Sequence, residues 1–221
     1  MKRLFILAAA AIISGTAFSQ TTSTTMTGSQ ARIGVKAGVN LATYSGKNNY
    51  DVDWKNNTGF NLTVFGDFGV GNNFFIQPGI SLQNKGGKLE GGGAEFKQTA
   101  MAIGVPLNAV LRIPTGEAGA FQINAGPYID FNIAGKNKGT YTGGGITSDG
   151  ESDLNFGSNI DDDLKTIDFG VNAGLAYRFS NGFLIGGQYG WGLTNLVPDD
   201  KRVGDDKLEN RVISLSVGYS F

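Results

Sequence analysis

The sequence predicts an all-β fold, a closed antiparallel eight-stranded transmembrane β-barrel with short periplasmic turns and long extracellular loops. Three observations lead there. Apolar and polar residues alternate in segment after segment from Arg32 to Phe221, the period of a strand whose successive side chains point to opposite faces. The connections between these segments run short and long in turn, the habit of outer-membrane barrels. Beyond the N-terminus no stretch approaches the roughly 18 apolar residues of a spanning helix, so a membrane protein of this sequence must cross with strands.

The first residues have a different character. Lys2 and Arg3 are followed by the apolar run Leu4 to Ile13 and by the small-x-small site Ala17-Phe18-Ser19, the pattern of a cleaved secretory signal peptide. Such a run spans about 15 Å as a helix, half of a hydrocarbon core of about 30 Å, which argues against a membrane anchor. Residues 1–19 therefore read as a signal peptide and residues 20–30, rich in Thr and Ser, as a flexible leader. Residues 31–221 read as one outer-membrane barrel domain.

Within that domain the first strand carries Ile33, Val35, Ala37, Val39 and Leu41 on one face, and the second carries Phe60, Leu62, Val64, Gly66, Phe68 and Val70. Phe74, Ile76, Pro78, Ile80 and Leu82 mark the third, Ile103 to Ile113 the fourth and Phe121 to Ile133 the fifth. The sixth alternates from Phe169 to Phe179, the seventh from Phe183 to Leu193 and the eighth from Ile213 to Phe221. These runs exceed the 5 or 6 residues usual in soluble sheets and suit a tilted membrane strand. Gly71-Asn72-Asn73, Pro114 to Gly119 and Ser180-Asn181-Gly182 are tight turns. Thr43 to Gly59, Asn84 to Thr99, Gly135 to Thr166 and Thr194 to Arg211 are read as long loops.

Alternation alone leaves open whether the apolar face points into a ligand cavity, as in a secreted lipocalin-like barrel, or out into lipid. The polar face decides for lipid, because it holds Gly, Ser, Asn and Gln with few of the Lys and Glu that a watered surface carries. Aromatics also gather at strand ends. Phe68, Phe74, Phe121, Tyr177, Phe179, Phe183, Tyr219 and Phe221 lie at the short-turn end and Phe60, Phe131, Phe169, Tyr189 and Trp191 toward the other, as two interfacial girdles would.

Composition excludes several functions. Eighteen basic residues against nineteen acidic ones give no field that attracts nucleic acid. Without cysteine or histidine there is no disulfide frame, no Cys/His metal site and no Ser-His-Asp or Cys-His pair. No catalytic, cofactor-binding or metal residues are assigned, no cofactor is expected, and the protein is read as no enzyme. The inward parity predicts lumenal charges, Arg32, Lys36, Arg112 and Arg178 against Asp67, Asp130 and Asp168. An eight-strand bore is just wide enough for side chains to fill, so the expectation is a salt-bridged plug more than a selectivity ring. The three aspartates are expected at different heights. Gly91-Gly92-Gly93 and Gly143-Gly144-Gly145 lack a strand-to-helix context and are read as flexible loops, not phosphate cradles. The acidic runs around Asp149 to Asp163 and Asp199 to Asp206 have no EF-hand spacing and are read as solvated surface.

The run Asp168-Phe169-Gly170-Val171-Asn172-Ala173-Gly174-Leu175-Ala176-Tyr177-Arg178-Phe179, then Asn181-Gly182 and Gln188-Tyr189-Gly190-Trp191-Gly192-Leu193-Thr194-Asn195, resembles the PorT-like outer-membrane β-barrel family. Val105-Pro106-Leu107 and the aromatic terminal strand match it too. The resemblance implies a scaffold in the cell outer membrane, with outer-membrane lipid and the barrel-insertion machinery as partners. The leading expectation is a structural or surface-interaction protein with an extracellular partner. The alternative is a narrow pore or a component of an outer-membrane transport or secretion system, with a secretion-machinery partner.

Overall fold

A computed structural model describes residues 31–46, 54–143 and 146–221. The predicted signal peptide and leader lie outside the described residues. Nine strands follow in chain order: β1 (Arg32–Ser45), β2 (Lys55–Gly69), β3 (Phe74–Gly91), β4 (Ala94–Pro114), β5 (Gly119–Gly143), β6 (Ile146–Asp153), β7 (Ile167–Phe179), β8 (Phe183–Gly192) and β9 (Glu209–Ser220). Eight close a ring in the order β1, β2, β3, β4, β5, β7, β8, β9 and back to β1, every pairing antiparallel. Hydrocarbon offers backbone groups no water, so a sheet crosses it only when closed. Here the last strand pairs with the first from Ser45↔Glu209 to Gly34↔Ser220, and the Phe221 N–H donates to the Ile33 carbonyl at 2.8 Å.

The predicted parity holds around the ring. On β9, Ile213, Leu215, Val217 and Tyr219 are exposed, while Ser220 is buried; on β7, Phe169, Val171 and Leu175 are exposed, while Asp168, Asn172 and Arg178 are buried. Polar groups inside and large apolar groups outside reverse the order of a water-soluble protein. Each apolar residue on the outer face thus meets lipid, and the interior must satisfy its own hydrogen bonds. The aromatics also form the two girdles. Phe121 packs edge-on against Tyr177 (ring centroids 5.0 Å apart), Tyr177 against Phe179 (4.9 Å) and Tyr219 against Phe221 (5.1 Å) at the short-turn end, and Tyr189 against Trp191 (4.3 Å) at the other. From Phe121 to Phe131 on β5, a rise of about 3.3 Å per residue on a strand tilted by about 40° gives a height of about 25 Å, that of an outer-membrane apolar band.

Three expectations need correction at the long-loop end. The segment Asn84 to Thr99 is no loop: β3 and β4 remain paired from Asn84↔Met101 up to Gly91↔Ala94. The turn there uses Gly92 (φ 58°) and Gly93 (φ 80°), the two positive values a two-residue hairpin requires, so this glycine run is a defined turn. Of the second glycine run, Gly144 and Gly145 lie outside the described residues. Gly135 to Thr166 is likewise only partly loop, because β5 continues to Gly143 and β6 pairs back along it from Lys136↔Asp153 to Gly143↔Ile146. A bulge between Met101/Ala102 of β4 and Ala134/Asn132 of β5 inserts one residue and reverses the faces of β5 above it.

The result is a one-sided wall of β3, β4, β5 and β6 standing beyond the girdle. Its outer face carries a register row, Lys55↔Lys88↔Lys97↔Lys138↔Glu151. Like charges directly opposite one another repel, and diagonal carboxylates offset this. Lys55 meets Glu90 at 2.7 Å, Lys88 also pairs with Glu90, and Lys136 pairs with Glu151. The hydrogen bonds from Lys55 and Lys88 hold the Glu90 carboxyl down at about 2.

Phe221 couples closure to the girdle, since its N–H seals the first strand and its ring packs edge-on against Tyr219 while remaining 74% exposed. Deleting Phe221 should lower the folded, heat-modifiable fraction in the outer membrane severalfold. Loss of one lipid-facing side chain alone costs about 1.5–3 kcal/mol, and near-normal insertion with slightly lower stability would reduce Phe221 to that role.

Candidate functional site: the lumen and its mouth

At the short-turn end the interior is plugged by polar side chains from β2, β3, β4, β5, β7 and β9. Arg112 of β4 pairs with Asp67 of β2 and lies over the Phe75 ring, 3.7 Å from its centroid. Gln77 donates to Asp67 Oδ1 at 3.3 Å. With its amide oxygen turned to the guanidinium, Gln122 accepts from Arg112 Nε at 2.8 Å. Charge-assisted bonds of this kind are stronger than neutral ones, so Arg112 is held from several sides. Arg178 is not, since among the described residues its side chain makes one hydrogen bond, from Nη2 to Ser220 Oγ at 3.4 Å. Arg32 stands opposite Asp67 in register but makes no ion pair among the described residues.

Above this plug are two small cavities. One of about 50 Å³ is lined by Lys36, Gln77, Gln122 and Asn124 among others, and one of about 70 Å³ by Lys36, Ser81, Gln83, Lys85, Tyr128 and Asp130 among others. Each has room for a few waters. Lys36 lies between them and donates to Gln188 Oε1 at 3.4 Å.

Toward the long-loop end sits the most buried charge cluster. Lys85 of β3 bridges Asp130 of β5 and Asp168 of β7, the latter at 2.9 Å. Asp130 and Asp168 are direct register partners, so two of the three lumenal aspartates share a height, contrary to the expectation. Gln83 donates to both Asp130 oxygens at 3.2 Å, and Asn210 donates to Asp168 Oδ2 at 2.8 Å. The Lys85 ammonium also lies 4.6 Å from the Tyr128 ring centroid. Lys85 was missed because it falls in the polar run read as a loop, and its only sequence signal was odd parity shared with Ser81 and Gln83. The expected pairing of lumenal charges therefore holds for Asp67 with Arg112. Asp130 and Asp168 take an unforeseen lysine, and among the described residues Arg32, Lys36 and Arg178 pair with no carboxylate.

Over this cluster the mouth is corked by a small apolar core. Leu154, Leu164 and Leu196 are buried with Tyr44 and Ala100, and Trp54, Phe156 and Leu208 pack against them. Leu154, Phe156 and Leu164 come from the β6–β7 connection and Leu196 and Leu208 from the β8–β9 connection; Lys165 N–H ties the two to each other at the Leu196 carbonyl (2.9 Å), and Leu196 N–H folds the second back on itself at the Leu208 carbonyl (2.7 Å). The Asp161–Asp163 run shapes this cork. Asp162 accepts from Asn159 N–H at 2.8 Å and Asp163 from Asn155 N–H at 2.9 Å. The Asp199 carboxyl, hydrogen-bonded by Lys165 at 2.7 Å, is held below the usual carboxylate range. Among the described residues no three His, Cys, Asp or Glu side chains converge as metal ligands would.

A closed ring of eight strands with lipid-facing apolar residues, two aromatic girdles and a charged, corked interior defines a transmembrane β-barrel. Residues 18–197 match the family described as outer membrane protein beta-barrel domain, and the chain belongs to this family and to the outer membrane. A comparison with curated proteins gave no match. Similar solved structures include Ail, the attachment invasion locus protein of Yersinia pestis, in complex with the heparin analogue sucrose octasulfate (18% identity, 87% of this chain and 99% of that chain, TM-score 0.45). Neisserial surface protein A is another (15%, 87% and 99%, 0.45), as is OprG from Pseudomonas aeruginosa (14%, 89% and 98%, 0.40).

Removing one partner of a buried ion pair leaves an uncompensated charge and costs about 3–5 kcal/mol. Lys85→Met, which leaves Asp130 and Asp168 facing each other, should lower stability by about that amount in urea titrations of the folded barrel. Adding Asp130→Asn and Asp168→Asn to Lys85→Met should recover most of the loss, and a single variant as stable as the wild type would refute the bridge.

Proposed function

We propose that the protein is a non-enzymatic surface-interaction barrel of the outer membrane, which holds the β3–β6 wall and the cork outside the cell for contact with an extracellular partner. The observation that carries this is the closure of the lumen at two levels, by Arg112 and Asp67 with their partners below and by Leu154, Leu164 and Leu196 above. A barrel blocked twice has no continuous bore, whereas the wall extends several residues past the girdle. The finer reading is a PorT-like member exported by the signal peptide of residues 1–19, with a leader over residues 20–30 and the barrel from residue 31 onward. Outer-membrane lipid and the insertion machinery are its partners in assembly. In this orientation the three tight turns and both chain ends of the ring face the periplasm.

The absence of native cysteine makes orientation directly measurable. Single cysteines at Gly92 and Asp200 should react with a membrane-impermeant maleimide on whole cells, and those at Asn72 and Asn181 only after the outer membrane is permeabilised. The opposite pattern would invert the topology. In planar bilayers the purified protein should show no large stable conductance. Arg112→Ala with Arg178→Ala should raise conductance or lower the thermal midpoint, and a wild-type channel of large conductance would replace this reading with that of a pore.

A further inference from the structure

The strands of the ring have a neighbour on either side, and β6 does not. It stands at the end of the sheet order and pairs with β5 alone, from Lys136↔Asp153 to Gly143↔Ile146. An open strand edge presents a row of unpaired N–H and C=O groups, a template for a further strand. The phase of the ladder tells which groups these are, because residues along an antiparallel strand turn their N–H and C=O alternately toward the partner and away from it. Leu154, directly after β6, donates its N–H to the Gly135 carbonyl of β5 at 2.9 Å, while Thr142 of β5 turns its N–H the other way, to the Gly93 carbonyl at 2.8 Å. Ser148, Gly150 and Ser152 therefore bond to β5. Thr147, Asp149, Glu151 and Asp153 turn their backbone groups to the open edge, and among the described residues no other backbone group bonds to these four.

The same four residues share the outer face of the wall, since Glu151 ends the lysine row there, and residues 147–153 are exposed throughout. Lys136 pairs with Glu151, whereas Asp149 and Asp153 make no ion pair among the described residues. Side chains directly opposite one another across an antiparallel pair attract when their charges differ and repel when they are alike. A second copy of the chain docked edge to edge would set one acidic row against another. The edge thus disfavours its own kind, although β6 has no Pro, no Lys and no register break that would close it to other strands. A strand with Lys or Arg at every second position would place each cation opposite one of these carboxylates while completing the ladder on the same residues.

We propose that the open edge of β6 takes up, as a further strand, an extended segment of a partner protein that carries Lys or Arg at every second position. Main-chain hydrogen bonds hold such a segment, and the alternating carboxylates select it. The proposal rests on the reading above that the wall serves contact with an extracellular partner, and it names the surface and the chemistry of that contact.

The test is fluorescence anisotropy of a labelled synthetic peptide alternating lysine and threonine, titrated with the folded full barrel in neutral detergent at fixed ionic strength. The wild type should bind it, and should bind about tenfold more weakly a peptide of the same composition with its lysines in one block. Asp149→Pro removes an N–H from the open edge and none from the β5 ladder, so the ring stays folded and binding should be lost. Asp149→Asn keeps that N–H and should weaken binding about two- to fivefold, while Glu117→Gln in the β4–β5 turn should leave it unchanged. The proposal is overturned if the wild type does not bind the alternating peptide, if the block peptide binds equally, if Asp149→Pro binds as the wild type does, or if the purified barrel forms a dimer that Asp149→Pro abolishes. Whole cells separate this outcome from that of the underlying reading. Binding to the purified barrel, but to cells only after the outer membrane is permeabilised, would support the edge and overturn the extracellular placement. Failure with the purified barrel would overturn the edge and leave that placement to the maleimide labelling.

Discussion

Hydrocarbon supplies no hydrogen-bond partner, and each backbone N–H or C=O left unpaired there costs several kcal/mol. The closure of β9 onto β1 answers that constraint, and most of the structure follows from it. Closing the ring with eight strands fixes a bore that side chains must fill. Because the outer face has taken the apolar residues, the filling is polar. The polar filling then has to satisfy itself, which is why buried side chains such as Asn40, Asn61 and Asn132 bond to other segments: Asn61 donates to Asn40 Oδ1 of β1 at 2.9 Å, and Asn132 to the Lys165 carbonyl of the β6–β7 connection at 2.9 Å.

Filling a bore of this size also dictates where side chains must be missing. A Cβ at Gly104 would lie 2.0 Å from Asp130 Oδ1 and 2.6 Å from Ser81 Oγ, and one at Gly170 would lie 2.5 Å from the Tyr128 hydroxyl. All three distances are inside van der Waals contact, so these glycines are the room in which Asp130 and Tyr128 sit beside Lys85. The glycine richness that made the composition unusual is thus partly a packing property of the lumen. Exchanging either glycine for alanine would displace a member of the charge cluster without touching the lipid face.

The sequence was legible where one face of a strand meets lipid and the other does not. Ile213 to Phe221 or Phe169 to Phe179 show that contrast at every second residue, and the ring, its parity and its girdles could be read from it. The contrast ends where the bilayer ends. In Asn84-Lys85-Gly86-Gly87-Lys88 and in Ile146 to Asp153 neither face is in lipid, so segments that are paired as strands in the structure carry no alternation. Lys85 was lost for that reason, and with it the partner of two aspartates. The shared height of Asp130 and Asp168 depends on the β5–β7 register, which no local pattern encodes. The cork was hidden differently. Leu154, Leu164 and Leu196 are scattered apolar residues in polar connections, brought together by tertiary contact alone.

The unequal strand lengths explain how the cork stays in place. β4 and β5 run to 21 and 25 residues while β8 stops after 10, so the barrel has a tall side and a low side. The connections leaving the low side fold across the mouth and lean on the tall one. Leu154 N–H bonds the Gly135 carbonyl at 2.9 Å, and Asn132 N–H bonds the Thr166 carbonyl at 2.8 Å. Trp54 joins the two sides, stacking edge-on against Tyr44 at 4.9 Å within the cork and meeting Phe96 of the wall at 6.3 Å. The cork's apolar residues would be an aggregation liability if exposed on a loop, but buried against the wall they bring the two long connections into one fixed surface. Closure of the backbone at the membrane and closure of the mouth above it are therefore consecutive steps. The first makes the interior polar and narrow, and the second lets an apolar cluster form on top of it only because the wall supplies a place to pack.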